Sequence, residues 1–285
     1  MKNWQDIIHH KTFRYIDQSN QSYIQHVPVS AIVSFAIDDA LATSVSEGNS
    51  PPSVRLWVHP RTIVLGIPDA RLPFIEQGIT QLQQRGYQVV VRNSGGLAVA
   101  LDEGVLNISL VLPGVKHISI NECYEAMVSF VQFMLRDKSR VIEAYEIKGS
   151  YCPGDYDLSI DGRKFAGISQ RRIKDGAAIQ IYLDVNGDSY NRASVIRDFY
   201  NISLQGAETK FTYPSVQPET MASLSELLHE QLTMTEMKKR VLTALRTLCE
   251  EVVFTDFSDS ELTTFQKRLQ QMKERNAFIA EITKT

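Results

Sequence analysis

Tyr151-Cys152-Pro153-Gly154-Asp155-Tyr156-Asp157-Leu158-Ser159-Ile160-Asp161-Gly162-Arg163-Lys164-Phe165-Ala166-Gly167-Ile168-Ser169-Gln170 is the most informative run of this 285-residue chain. Tyr156, Leu158 and Ile160 alternate as a strand with one buried face requires, and Asp161-Gly162 supplies the two-residue turn that reverses it. Counting back from that turn pairs Ile160 with Arg163, Ser159 with Lys164 and Asp157 with Ala166. Lys164 then shares a sheet face with Ser159 and Asp157, the latter a diagonal neighbour at roughly 7–8 Å, as in an ordinary cross-strand ion pair. A second turn at Lys174-Asp175-Gly176 leads into Ile179, Ile181, Leu183 and Val185.

Upstream, residues 54–58, 62–67, 87–92 and 105–112 are short β-rich runs bounded by Gly, Pro, Asn or Asp, with a helix fitting the gap at 71–85. Residues 1–50 carry little signal apart from an apolar helical stretch from Ala31 to Ala42. Ser119-Ile120-Asn121-Glu122 has the capping-box pattern, and Cys123, Met127, Phe130, Val131 and Met134 then recur at helical spacing. A strand is predicted near 141–147. Further Ser/Thr-x-x-Glu starts at Ser223, Thr233 and Ser258 make the last third helical, with Met237, Val241, Leu245, Leu248 and Cys249 on one face. The fold class is α+β: a mostly antiparallel mixed sheet with flanking helices and a carboxy-terminal helical extension.

Composition narrows the function. Hydrophobic residues at 43% against 22% charged can fill a substantial core, and a formal charge of -3 lacks the footprint of a general nucleic-acid binder. No apolar run is long enough to span a bilayer, and Met1-Lys2-Asn3-Trp4-Gln5-Asp6 leads into polar sequence, so a soluble, cytoplasmic protein is expected. Cys123, Cys152 and Cys249 lie far apart with no CxxC pair and no His at ligand spacing, which suggests neither a disulfide framework nor a zinc site.

Two glycine-bearing segments can carry chemistry. In Arg92-Asn93-Ser94-Gly95-Gly96-Leu97-Ala98-Val99-Ala100-Leu101-Asp102-Glu103-Gly104, adjacent glycines let a loop approach a ligand and aim N–H groups at an oxygen. On residues alone the pair reads first as a tight strand connection. The other segment is the Cys152 loop with Lys164 twelve residues on; there a loop thiol tucked inward and a reactive one are equally open. Neither GxxxxGK[ST] nor GxGxxG occurs.

Over roughly residues 30–220 these segments resemble the biotin/lipoate ligase and octanoyltransferase superfamily. Leu56-Trp57-Val58-His59-Pro60-Arg61-Thr62-Ile63-Val64-Leu65-Gly66 looks like its early strand pair, Arg92 to Gly104 its acyl-binding loop, and Asp161 to Gln170 its lysine hairpin. The resemblance implies a catalytic domain over 30–220 and a helical extension, 221–285, packed on the core. ATP-dependent ligases of the family need no thiol and commonly carry a His where this chain has Ala100-Leu101 before Asp102. A cysteine in this loop and the Arg-Asn-Ser-Gly-Gly-Leu-Ala-Val wording look most like the branch that moves octanoyl from glycine cleavage H protein to lipoyl domains of 2-oxoacid dehydrogenase E2 subunits, in lipoate biosynthesis. Alternatives are a branch that draws octanoyl from acyl carrier protein, an ATP-dependent lipoate ligase, and a non-catalytic acyl-protein binding module.

That resemblance implies a thioester on Cys152, which divides an amide-to-amide transfer between two folded domains into two visits. An unperturbed thiol is only a few per cent thiolate at pH 7. Lys164 is therefore expected to stabilise the thiolate and shuttle the proton, provided Asp157 does not neutralise it. Backbone N–H groups around Gly95-Gly96 or Gly167 would hold the oxyanion, with Ser94 and Ser169 nearby, and Leu97, Val99 and Ile168 would line the acyl slot. Arg92, Arg163, Arg171, Arg172 and Lys174 are candidates for a basic rim facing acidic lipoyl domains, surface solvation being the commoner role of such residues. The chemistry requires no metal, nucleotide or organic cofactor.

Overall fold

The computed structural model describes residues 4–24 and 26–282; Met1 to Asn3 of the polar amino terminus and residues 283–285 of the expected extension lie outside them. In chain order come α1 (Trp4–Ile8), β1 (Thr12–Asp17), a small β2 and β3 hairpin (Tyr23–Ile24 and Val27–Pro28), α2 (Ala31–Ser46), β4 (Ser53–Trp57), β5 (Thr62–Leu65) and α3 (Ile75–Gln84). The middle carries β6 (Gln88–Val91), β7 (Val99–Leu101), β8 (Val105–Pro113), α4 (Ile120–Met134), β9 (Glu143–Ala144), β10 (Leu158–Ile160), β11 (Arg163–Ile173) and β12 (Gly176–Asp184). The remainder is α5 (Ser189–Leu204), α6 (Leu224–Leu228), α7 (Met234–Leu248), β13 (Glu251–Val253), α8 (Asp259–Arg275) and α9 (Ala277–Ile282).

The main sheet runs β13-β1-β4-β8-β12-β11-β10-β9, and β6-β5-β7 form a smaller one. Only β13–β1 and β1–β4 are parallel in the main sheet, so it is mixed and mostly antiparallel as expected. Side chains alternate across it. Leu106, Ile108, Leu110 and Leu112 of β8 pack with Ala126, Met127 and Phe130 of α4 and Val241 and Leu245 of α7. The opposite face meets α2 and the small sheet, with Val111 and Tyr182 joining Phe35, Ile37 and Leu41.

That second face is partly polar, and α2 carries Asp38 and Asp39 into it, both buried. Burying a carboxylate is costly unless it is paired. Arg55 Nε donates to Asp38 Oδ1 at 2.8 Å, while Ser109 Oγ and Gln180 Nε2 both donate to Oδ2 at 2.6 Å. Asp39 accepts from Arg171 Nε at 3.2 Å. The network pins α2 across β4, β8 and β12 directly beneath the site described below.

The hairpin differs from simple counting by one residue. Ile160 faces Arg163 and Ser159 faces Lys164, but a bulge then sets Leu158, not Asp157, opposite Ala166. Residues 141–147 supply only the two-residue, exposed β9. Cys249 is the half-buried C-cap of α7 instead of a core residue. The uninformative amino-terminal stretch contributes β1, an interior strand of the sheet, and the carboxy-terminal extension contributes the edge strand β13 as well as helices.

Candidate active site

Cys152 lies in the loop between β9 and β10 with φ of +46°, a left-handed conformation that costs a non-glycine residue about 1–2 kcal/mol. Lys164, fully buried at the start of β11, holds it there. Its Nζ donates to Tyr151 O at 2.9 Å, to Cys152 O at 2.8 Å and to Ser150 Oγ at 3.4 Å. It also pairs with Asp157 Oδ1 at 2.8 Å, the cross-strand ion pair that their shared sheet face allows. Burial pushes the Asp157 carboxyl up, and Lys164 pulls it back. Asp157 also accepts from the Ile147 and Gly154 N–H groups, at 3.3 and 3.2 Å, so both ends of the loop hang on one carboxylate.

The glycine loop between β6 and β7 approaches the thiol from the other side. Leu97 N–H donates to Cys152 Sγ at 3.1 Å, and Arg92 Nη2 donates to the same sulfur at 3.3 Å. Arg92 Nη2 also donates to Leu97 O at 2.6 Å. Gly96 has φ of +102°, and a Cβ there would sit 2.1 Å from Arg92 Nη2 and 2.9 Å from Cys152 Sγ, so only glycine lets guanidinium and sulfur meet. Behind the loop, Tyr200 OH accepts from Ala98 N–H at 3.3 Å and donates to Asp69 Oδ1 at 2.9 Å. Asp69 Oδ2 accepts from Gly66 N–H at 2.7 Å. Burial pushes the Asp69 carboxyl up to about 6 against the pull of these donors.

Sulfur opens onto a slot between the two sheets, lined by apolar Phe35, Trp57, Val64, Val99, Leu101, Ile168, Ile181 and Tyr182, with Asn107, Ser169 and Gln180 as its polar patch. Val99, Gly167, Ile168 and Ser169, expected at a binding site, all line it, as does Arg92. Leu97 does not: its backbone serves the sulfur while its side chain is buried elsewhere. Ser94 Oγ lies 3.4 Å from Ser169 Oγ, which donates to Gln180 Oε1 at 3.2 Å. Gly95 is exposed at the loop tip.

Arg92 is no rim residue, being only 6% exposed. Arg163 pairs with Glu226, Arg171 with Asp39 and Lys174 with Glu47, and Arg172 donates to the Val115 and Ile118 carbonyls. Those surface charges are already engaged. Sequence reasoning missed Phe35, Trp57, Val64, Leu101, Asn107, Gln180, Ile181 and Tyr182 as lining residues. Three were within reach of counting: the Lys174-Asp175 turn sets Gly167 opposite Tyr182, Ile168 opposite Ile181 and Ser169 opposite Gln180.

A nucleophile with two donors on its sulfur, beside a narrow apolar slot, can take an acyl group and pass it on. Among the described residues no three His, Cys, Asp or Glu side chains converge as a metal site would need. Residues 30–246 match the lipoyl protein ligase A/B catalytic domain. A protein of Oceanobacillus iheyensis named octanoyl-[GcvH]:protein N-octanoyltransferase is 62% identical over 97% of this chain and 99% of its own length. A Listeria monocytogenes protein named lipoyl-[GcvH]:protein N-lipoyltransferase is 49% identical over 86% of this chain and 89% of its own. Among solved structures, a bipartite lipoate protein ligase of Thermoplasma acidophilum superposes with a TM-score of 0.67 at 17% identity, covering 94% of this chain and 96% of its own.

Proposed function

Because the chain belongs to the lipoyl protein ligase A/B catalytic domain family, we propose that it moves octanoyl from the lysine of GcvH, the glycine cleavage H protein, to the lysine of E2 lipoyl domains through a thioester on Cys152. The observation that carries this reading is Cys152 Sγ, set against the apolar slot and held by two donors. Sequence likeness to proteins named for GcvH as acyl carrier supports that donor over acyl carrier protein.

In the first half-reaction the Cys152 sulfur attacks the amide carbon, a C–S bond forms, and the carbonyl π pair moves onto oxygen. Collapse breaks the C–N bond, and the donor lysine amine leaves with a proton from the Lys164 ammonium. In the second, the acceptor amine attacks the thioester carbon, its proton returns to Lys164, and Cys152 departs as thiolate. The Lys164 ammonium holds the loop through the Tyr151 and Cys152 carbonyls and is paired with Asp157, contacts that support a positioning role beside the proton transfer proposed for it. Asp157 neutralises it as a counterion for the sulfur, the condition its expected electrostatic role could not survive. The apolar lining of the slot is the surface on which the acyl chain would be held.

Intact-protein mass spectrometry after incubation with octanoyl-GcvH, and separately with octanoyl-acyl carrier protein, both without ATP, tests the reading. An octanoyl adduct on the wild type, formed faster from octanoyl-GcvH and lacking in Cys152→Ala, is expected. No adduct from either donor would overturn the thioester, and faster loading from acyl carrier protein would overturn the choice of donor.

A further inference from the structure

We infer that Arg92 is the cation that holds the Cys152 thiolate and, once the sulfur is acylated, the oxyanion that forms at the acyl carbon. The inference rests on Cys152 as the nucleophile and assigns to Arg92 the electrostatic task that its hairpin partner does not perform.

Buried arginines elsewhere in this protein meet carboxylates. Arg14 pairs with Glu261 at 2.8 Å, Arg55 with Asp38 at 2.8 Å, and Arg192 with Asp184 at 2.7 Å. Arg92 is buried too, yet among the described residues it makes no ion pair with a carboxylate. Its Nε is buried without a hydrogen-bond partner, and its Nη2 spends its contacts on Leu97 O and Cys152 Sγ. The buried Asp69 carboxyl feels the Arg92 charge without forming an ion pair with it, which leaves Cys152 Sγ, 3.3 Å from Nη2, as a group within hydrogen-bond distance that can become its anionic partner. Lys164 is the rival, but its ammonium already has Asp157 at 2.8 Å and points at two carbonyls.

The surrounding loop is shaped to that contact. Leu97 gives its N–H to the sulfur and its carbonyl to the guanidinium, closing a three-membered ring of partners, and the missing Cβ of Gly96 is the space in which they meet. A thiolate is stabilised by a fixed guanidinium and an aligned N–H in the way that activates cysteines generally. Acylation removes the negative charge from sulfur. Arg92 Nη2 is then free to donate to the thioester oxygen as the acceptor amine attacks and the π pair moves onto that oxygen.

The test is alkylation of Cys152 by iodoacetamide, read by peptide mass spectrometry from pH 6 to 9.5, in wild type, Arg92→Gln and Arg92→Lys, with melting curves alongside. Arg92→Gln should react about tenfold more slowly at pH 7, the gap closing by pH 9.5, and Arg92→Lys should recover part of the loss. Arg92→Gln within twofold of wild type at pH 7 would overturn the assignment. If neither variant folds, the wild type decides: alkylation of Cys152 at pH 7 about fivefold or more faster than that of free cysteine is expected, and a rate within about twofold of free cysteine refutes it. Octanoyl loading of the wild type from octanoyl-GcvH is run in parallel. An adduct with unaltered alkylation in Arg92→Gln sinks only the role of Arg92, whereas no adduct on the wild type sinks the thioester reading itself.

Discussion

Gly66 touches no reacting atom, yet adding a single methyl there should disable the site. Gly66 lies just beyond β5, and a Cβ on it would stand 2.0 Å from Gly96 O and 2.9 Å from Leu97 Cα, both backbone atoms that no rotamer change can move. A comfortable carbon–oxygen contact is about 3.4 Å, so the carbonyl must retreat by about 1.4 Å. That retreat carries the adjoining Leu97 N–H, now 3.1 Å from Cys152 Sγ, out of hydrogen-bond reach. A hydrogen bond to a charged partner contributes about 1.5–3 kcal/mol, which corresponds to about a 10- to 150-fold slower acylation. Overpacking should cost only about 1–3 kcal/mol of stability. Rapid-quench mass spectrometry of octanoyl-enzyme formation on folded Gly66→Ala measures the effect. A rate within twofold of wild type would show that the glycine loop does not set the geometry of the thiol.

Two further outcomes concern buried charge. The Asp69 carboxyl is raised from 3.8 to about 6, chiefly by burial, so the native state binds its proton more tightly than the unfolded chain between those values. The stabilisation is fully present below 3.8 and is lost as pH rises through about 6, so wild-type stability should fall, relative to Asp69→Asn, by about 2 kcal/mol from pH 4.5 to 7.5. Parallel urea-denaturation profiles for the two proteins would refute this. Glu261→Ala strands Arg14, whose Nη1 now lies 2.8 Å from that carboxylate with both side chains buried, and should cost about 3–5 kcal/mol in urea unfolding. A loss below about 1 kcal/mol would mean that the pair adds little.

The parts of the fold that were legible are those fixed by local chemistry. The turn at Asp161-Gly162, where both residues have positive φ, and the capping box at Ser119 and Glu122 depend on residues a few positions apart. What escaped depends on partners far along the chain. β1 hid because Arg14 breaks its apolar run, and what neutralises Arg14 is Glu261, 247 residues on. The burial of Asp38 and Asp39 was hidden for the same reason: on α2 they enter the core, where Arg55 and Arg171 answer them. At the site, the thiol and the glycine loop were both visible as segments. That Arg92, and not Lys164, reaches the sulfur was not: turn counting set Lys164 beside Asp157, whereas the contact of Arg92 with Cys152 joins two loops 60 residues apart.

The place of β1 bears on how the chain is made. β1 lies between β4 and β13, so a strand translated early is closed on one side by one translated more than 230 residues later. Until residues 251–253 leave the ribosome, the outer ladder of β1 has no partner, and Arg14 stays charged without Glu261. An unpaired edge of this kind invites pairing with other chains. The family match, residues 30–246, leaves out both strands. A nascent chain stalled before Glu251, or a fragment trimmed to the match, would therefore carry the nucleophile and the slot on a sheet whose outer face is unfinished, and would be a substrate for chaperones and proteases before it could be a catalyst.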